Sequence, residues 1–107
     1  KNEIKLSISN QILAEFSNQM RNVLSANELN QRITDYELSF DVVSYFVADI
    51  KKANQFFEMY KIHFFDALIA ATMNSQNINT IITENEKDFK KVPWLKVINP
   101  FKNKEKK

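Results

Sequence analysis

Phe64-Phe65-Asp66-Ala67-Leu68-Ile69-Ala70-Ala71-Thr72 sets one acid between two aromatic side chains and a run of helix formers. An Asp directly before such a run is a natural helix N-cap. Its carboxylate can accept hydrogen bonds from first-turn amides that have no partner inside the helix. Capping alone would make Asp66 structural. A part in chemistry needs companions, and three polar stretches are candidates. Gln11-Ile12-Leu13-Ala14-Glu15 lies upstream; Thr83-Glu84-Asn85-Glu86-Lys87-Asp88-Phe89 and Asn99-Pro100-Phe101 lie downstream.

Working outward, Ile4, Leu6 and Ile8 alternate with Lys5, Ser7 and Ser9, the period of a short strand. Ser9 or Asn10 then caps a helix to about Leu24, with Ile12, Leu13, Phe16, Met20, Val23 and Leu24 as its apolar stripe. Glu15 sits beside that stripe, about one turn in. Ser25 and Glu28 have the spacing of a capping box and open a second helix facing inward through Leu29, Ile33 and Tyr36. Phe40 to Val43 reads as a strand. A third helix runs from about Phe46 to Tyr60, with Val47, Ile50, Ala53, Phe57 and Tyr60 expected in the core.

The Asp66 helix ends near Asn74 to Asn77, Thr80 to Thr83 and Leu95 to Ile98 are short strands, and Val92-Pro93-Trp94 is a loop with Trp94 against a core edge. The order is βααβααββ. Such alternation predicts an α/β fold, a mostly parallel sheet with helices on both faces. Functional residues of such sheets gather at the C-terminal ends of strands, where Glu15, Asp66 and the Thr83 to Asp88 turn could converge.

A chain of 107 residues is long enough for one core, and 44% hydrophobic with 26% charged residues is the composition of a globular domain. The net charge of +2 is unevenly spread: Lys102 to Lys107 carries +3, which leaves −1 for the rest. This is not the basic body of a protein that holds nucleic acid mainly through charge, and the tail reads as solvated and disordered. Cysteine is absent, which excludes disulfides and thiol chemistry, and no apolar run is long enough to span a bilayer. Glycine is absent too, so Asn is the residue type best suited to left-handed turns.

Three carboxylates at one strand rim repel one another unless a cation neutralises them. Hard oxygen ligands select Mg²⁺ or Mn²⁺, which also bind substrate phosphate. No glycine-rich phosphate loop, Ser-His-Asp set or dinucleotide fingerprint offers another chemistry. His63 is the single histidine; with no Cys or second His nearby, it reads as structural.

Four stretches together resemble the PIN domain family, especially the VapC-like toxins of type II toxin–antitoxin pairs. Ile8-Ser9-Asn10-Gln11-Ile12-Leu13-Ala14-Glu15-Phe16 looks like the family's second acidic motif, and Phe65 to Ala71 like its third. Thr83-Glu84-Asn85-Glu86-Lys87-Asp88-Phe89 is similar to its Thr-x-Asn-x-x-Asp-Phe element, and Leu95 to Phe101 to its closing strand. The resemblance covers about Ile4 to Phe101.

It implies a three-layer PIN-like fold and a metal-dependent endoribonuclease, cytoplasmic, commonly a homodimer, held inactive by a small antitoxin. Glu15, Asp66 and Asp88 would be the catalytic and Mg²⁺- or Mn²⁺-binding acids, with Thr83 and Asn85 as polar supports. RNA would be the substrate, and no membrane is implied.

The family opens with a hydrophobic strand ending in Asp-x-Asn or Asp-x-Ser, and Lys1 to Glu3 cannot supply it. Residues 1–101 are therefore expected to form a PIN-like domain lacking its first central strand, with 102–107 as a basic tail. The parent protein is expected to be the nuclease and this chain alone inactive. The competing expectation is an inactive PIN remnant that binds an antitoxin or a second copy.

Overall fold

The computed structural model describes residues 6–100. Ile4, Phe101 and the tail at 102–107, for which a strand, a closing motif and disorder are expected, lie outside the described residues. The α/β alternation is present: β1 (Ser7–Ser9), α1 (Asn10–Met20), α2 (Ala26–Ser39), β2 (Asp41–Val43), α3 (Val47–Tyr60), α4 (Phe64–Ser75), β3 (Thr80–Ile82), α5 (Glu86–Phe89) and β4 (Lys96–Ile98). Both strand pairs, β1 with β2 and β3 with β4, are parallel, each forming a two-stranded sheet. The chain divides into two compact units, Lys1–Tyr45 and Phe46–Lys107. Among the described residues no helix is long and apolar enough to cross a membrane.

In the first unit, Ser7, Ile8 and Ser9 stand opposite Asp41, Val42 and Val43. The Ser9 hydroxyl then accepts from the Ile12 N–H at 3.2 Å and starts α1. This helix stops at Met20, a turn short of the expected Leu24; Val23 and Leu24 bond back to the Met20 carbonyl, and Val23 is 71% exposed. The capping box at α2 forms as the spacing predicts. Ser25 Oγ accepts from the Glu28 N–H at 3.1 Å, and Glu28 Oε1 accepts from the Ser25 N–H at 2.8 Å. Phe16 meets Tyr36 edge-on, with centroids 5.5 Å apart, and so joins α1 to α2.

The second unit is built around α4. Every residue from Ala67 to Met73 is buried, so this helix has no solvent face over two turns and is the unit's central element. The alanines Ala53, Ala67, Ala70 and Ala71 bring little bulk to the packing of α3 and α4. Thr72 is buried among them and satisfies its hydroxyl by donating to the Leu68 carbonyl at 2.8 Å.

The inward face of α3 shares Ala53 and Tyr60 with the expected one and differs in the rest. Asp49, Ala53 and Phe56 are buried with Tyr60 half-buried, whereas Val47, Ile50 and Phe57 are exposed. Both series have helical spacing. The buried one is selected because Asp49 also closes a cap, its carboxylate accepting from the Phe46 N–H at 2.8 Å, and because Phe56 stacks with Tyr60 and Trp94. Trp94 lies at the core edge as expected, donating from Nε1 to the Tyr60 hydroxyl at 3.2 Å. Between β3 and β4 the chain adds α5, a single turn absent from the expected order; a parallel crossover needs a dozen or so residues and here spends some on that turn.

Only Lys61, Ile62 and His63 separate α3 from α4. The reversal is made by Lys61 in the left-handed conformation, φ 57°, while Ile62 is buried beside it. Asn77 takes the other left-handed position among the described residues, the residue type expected there. Lysine at such a position carries Cβ strain that glycine would not. Lys61→Gly is therefore expected to raise stability by up to about 1 kcal/mol, and the β-branched Lys61→Val to lower it, in thermal melts. A glycine variant that melts below the parent chain would mean that the Lys61 side chain contributes contacts larger than the strain.

Candidate metal centre

Asp66 is not the N-cap of its helix. α4 begins at Phe64 with His63 as N-cap, which places Asp66 in the first turn, where a carboxylate is favoured by the amides and the helix dipole. The cap comes instead from far along the chain. Asp88, inside α5 and buried, accepts from the His63 backbone N–H at 3.0 Å through Oδ2. The same oxygen lies 2.6 Å from His63 Nδ1, and Asp66 Oδ2 lies 4.0 Å from that nitrogen. One donor atom from each of His63, Asp66 and Asp88 falls within 4.8 Å of the others.

The three side chains differ in exposure in a way that matters for chemistry. Asp88 is 6% exposed, Asp66 18% and the His63 ring 86%. The His63 backbone amide holds the Asp88 carboxyl below the ordinary aspartate range, against burial, which acts the other way; the His63 ring and the Asp66 carboxyl reinforce the amide. An ionised carboxylate only accepts hydrogen bonds, so Nδ1 of His63 carries the proton in this contact and Nε2 faces outward. Lys91 Nζ lies 3.9 Å from the second Asp88 oxygen and donates to the Lys61 carbonyl at 3.2 Å. A cleft of about 570 Å³ opens at this point, with Phe57, Lys61, His63, Lys87, Asp88 and Lys91 in its wall.

Of the residues expected to act together, the structure brings Asp66 and Asp88 into one cluster. Glu15 is on α1 in the first unit, exposed, and accepts from Gln11 Nε2 at 3.0 Å. Thr83 and Asn85 shape the approach to α5: Thr83 Oγ1 accepts from the Asn85 N–H at 3.0 Å, and Asn85 is the helix N-cap. Asn99 ties the end of β4 to the same turn, donating to Glu86 Oε2 at 2.7 Å. His63, which the sequence reads as structural, joins the cluster of Asp66 and Asp88, a neighbourhood that the sequence does not disclose. Its companions are carboxylates, one of them 25 residues away, and neither a Cys nor a His.

A family model of the PIN domain matches residues 1–95. The chain belongs to the PIN domain family. Its fold is similar to a chain in a toxin–antitoxin complex from Klebsiella pneumoniae, with a TM-score of 0.68 and 23% identity over 88% of this chain and 72% of that one. At that identity the likeness establishes the fold. No curated protein matches the chain.

PIN domains generally use a divalent metal, and the donors here suit one. Around an octahedral ion with bonds of about 2.1 Å, neighbouring ligands sit about 3 Å apart and opposite ones about 4.2 Å. The 4.0 Å separation from His63 to Asp66 falls within that range, and the 2.6 Å contact from His63 to Asp88 is shorter, at hydrogen-bond length.

The lowered Asp88 value sets a pH dependence. Because the folded value lies below the unfolded one of about 3.9, the stabilisation is complete above that pH and is lost as pH falls through the folded value. In metal-free buffer Asp88→Asn is expected to lower stability by about 1–3 kcal/mol near neutrality. Urea titrations should show that difference narrowing below about pH 4, as the Asp88 carboxyl takes up its proton. A difference that does not shrink there would contradict the assignment.

Proposed function

We propose that this PIN domain belongs to a metal-dependent endoribonuclease toxin that hydrolyses RNA phosphodiester bonds, acts in the cytoplasm and is restrained by an antitoxin. The observation that carries this reading is the meeting of Asp66 and Asp88, from separate helices, within one cluster of metal-ligating atoms. Asp66 and Asp88, with Glu15 completing the acidic set, would hold Mg²⁺ or Mn²⁺. A divalent ion held there supplies positive charge to a phosphodiester and makes a bound water a better nucleophile.

The chain's own residues prepare that site. The His63 amide fixes the direction of the Asp88 carboxylate, and the first turn of α4 fixes that of Asp66. Lys61, Lys87 and Lys91 outnumber the acids Glu58 and Asp88 in the wall of the cleft and bring positive charge to where an RNA backbone would lie. Thr83 and Asn85 support the site through the turn that carries Asp88. In this reading residues 1–101 form the PIN-like domain, and 102–107 add a basic tail.

A second reading is an inactive PIN module that binds an antitoxin or a second copy of itself. It is favoured by Val47, Ile50 and Phe57, exposed at helical spacing along α3. The two readings part at Asp66. In the complete protein, Asp66→Asn keeps the shape of the side chain and removes its charge. It is expected to reduce Mg²⁺- or Mn²⁺-dependent RNA cleavage to background while the melting temperature stays within a few degrees. Cleavage at the parent rate would remove Asp66 from the reaction; a parent protein that binds an antitoxin but never cuts RNA would favour the inactive module.

A further inference from the structure

We propose that His63 is a nitrogen ligand of the metal centre and that it makes this centre prefer Mn²⁺ to Mg²⁺. The inference rests on the metal-binding reading of Asp66 and Asp88 and adds a ligand of different chemistry to it.

The position of His63 is set by the backbone on both sides. The left-handed turn at Lys61 and the buried Ile62 hold the chain before it, and α4 begins immediately after it. Its own amide is bonded to Asp88 at 3.0 Å. The imidazole therefore leaves a fixed point on the rim, with Nδ1 2.6 Å from one carboxylate oxygen and 4.0 Å from the other. No rearrangement of the main chain is needed to turn these three atoms toward a common ion. A small rotation of the exposed ring opens the short contact to Asp88 toward the 3 Å expected of adjacent ligands.

The division of exposure fits the same role. The two carboxylates are enclosed, and the ring is the solvent-facing member of the set, on the cleft side. As a ligand the neutral imidazole keeps its single proton, carried on Nε2 once Nδ1 faces the ion. No net charge change at the ring is required.

Preference follows from the donor atoms. Mg²⁺ binds hard oxygens, tolerates little departure from octahedral geometry and sheds its waters reluctantly. Imidazole nitrogen is a softer donor that suits transition metals, and Mn²⁺ stands at the hard end of that series, still at ease with carboxylates. A set of two carboxylates and one imidazole thus gains more from Mn²⁺ than a set of carboxylates alone.

The test uses the full chain loaded with Mn²⁺ alone, read by electron spin echo envelope modulation and by titration of free Mn²⁺. The parent chain should show nitrogen modulation from a directly bound imidazole, altered in the expected way by ¹⁵N-histidine labelling, which involves no substitution. His63→Ala should lose the modulation and weaken Mn²⁺ binding by about tenfold or more, with a smaller change for Mg²⁺. Bound Mn²⁺ that depends on Asp66 but shows no nitrogen modulation would overturn the role of His63 and leave the acidic centre standing. No bound Mn²⁺ in the parent chain would overturn both.

Discussion

The second unit depends on one buried carboxylate. Asp88 reaches from α5 to the start of α4 and accepts from the His63 amide, so two helices far apart in sequence share an anchor. The enclosed part of α4 runs from Ala67 to Met73. At the more open start of the helix the ionised Asp88 carboxylate supplies an acceptor to an amide that has no partner inside the helix. The arrangement also collects negative charge. With Asp66 in the first turn of the same helix, two carboxylates lie beside one imidazole, and the fold has placed metal-ligating atoms where its own helix end is favourable to anions.

The rest of the unit keeps that junction in place. Lys61 takes a left-handed conformation, Ile62 is buried, and α3 is pinned by Phe56, Tyr60 and Trp94 on its inner side. β4, paired with β3, returns to the α5 turn through Asn99 and Glu86. In the proposed site, stability and chemistry would share a residue: Asp88 holds the start of α4 and would also belong to the donor set.

What the sequence discloses and what it hides divide along physical lines. The alternation of strands and helices, the capping box at Ser25 and Glu28 and the buried run after Asp66 are local patterns, and each is present in the structure. The PIN resemblance rests on four such local motifs, and the family model covers most of the chain. The phase of α3 was not legible because Phe56 and Phe57 are adjacent and each completes a helical stripe; stacking with Trp94, distant in sequence, decides between them. The single turn of α5 is too short to carry a period. The cap of α4 by Asp88 and the companionship of His63 are contacts across 25 residues, which no spacing rule encodes. Lys61 in a left-handed turn is equally hidden, since in a chain without glycine the tertiary fold chooses which residue bears the strain.

The central claim is that His63, Asp66 and Asp88 form a divalent-metal centre. Anomalous diffraction from a crystal of the full chain soaked in Mn²⁺ tests it most directly. A Mn²⁺ peak within bonding distance of the Asp66 and Asp88 carboxylates and of His63 Nδ1 is the predicted result. A well-ordered site without a peak, with Asp88 still bonded to His63, or a peak bound elsewhere on the chain, would contradict it.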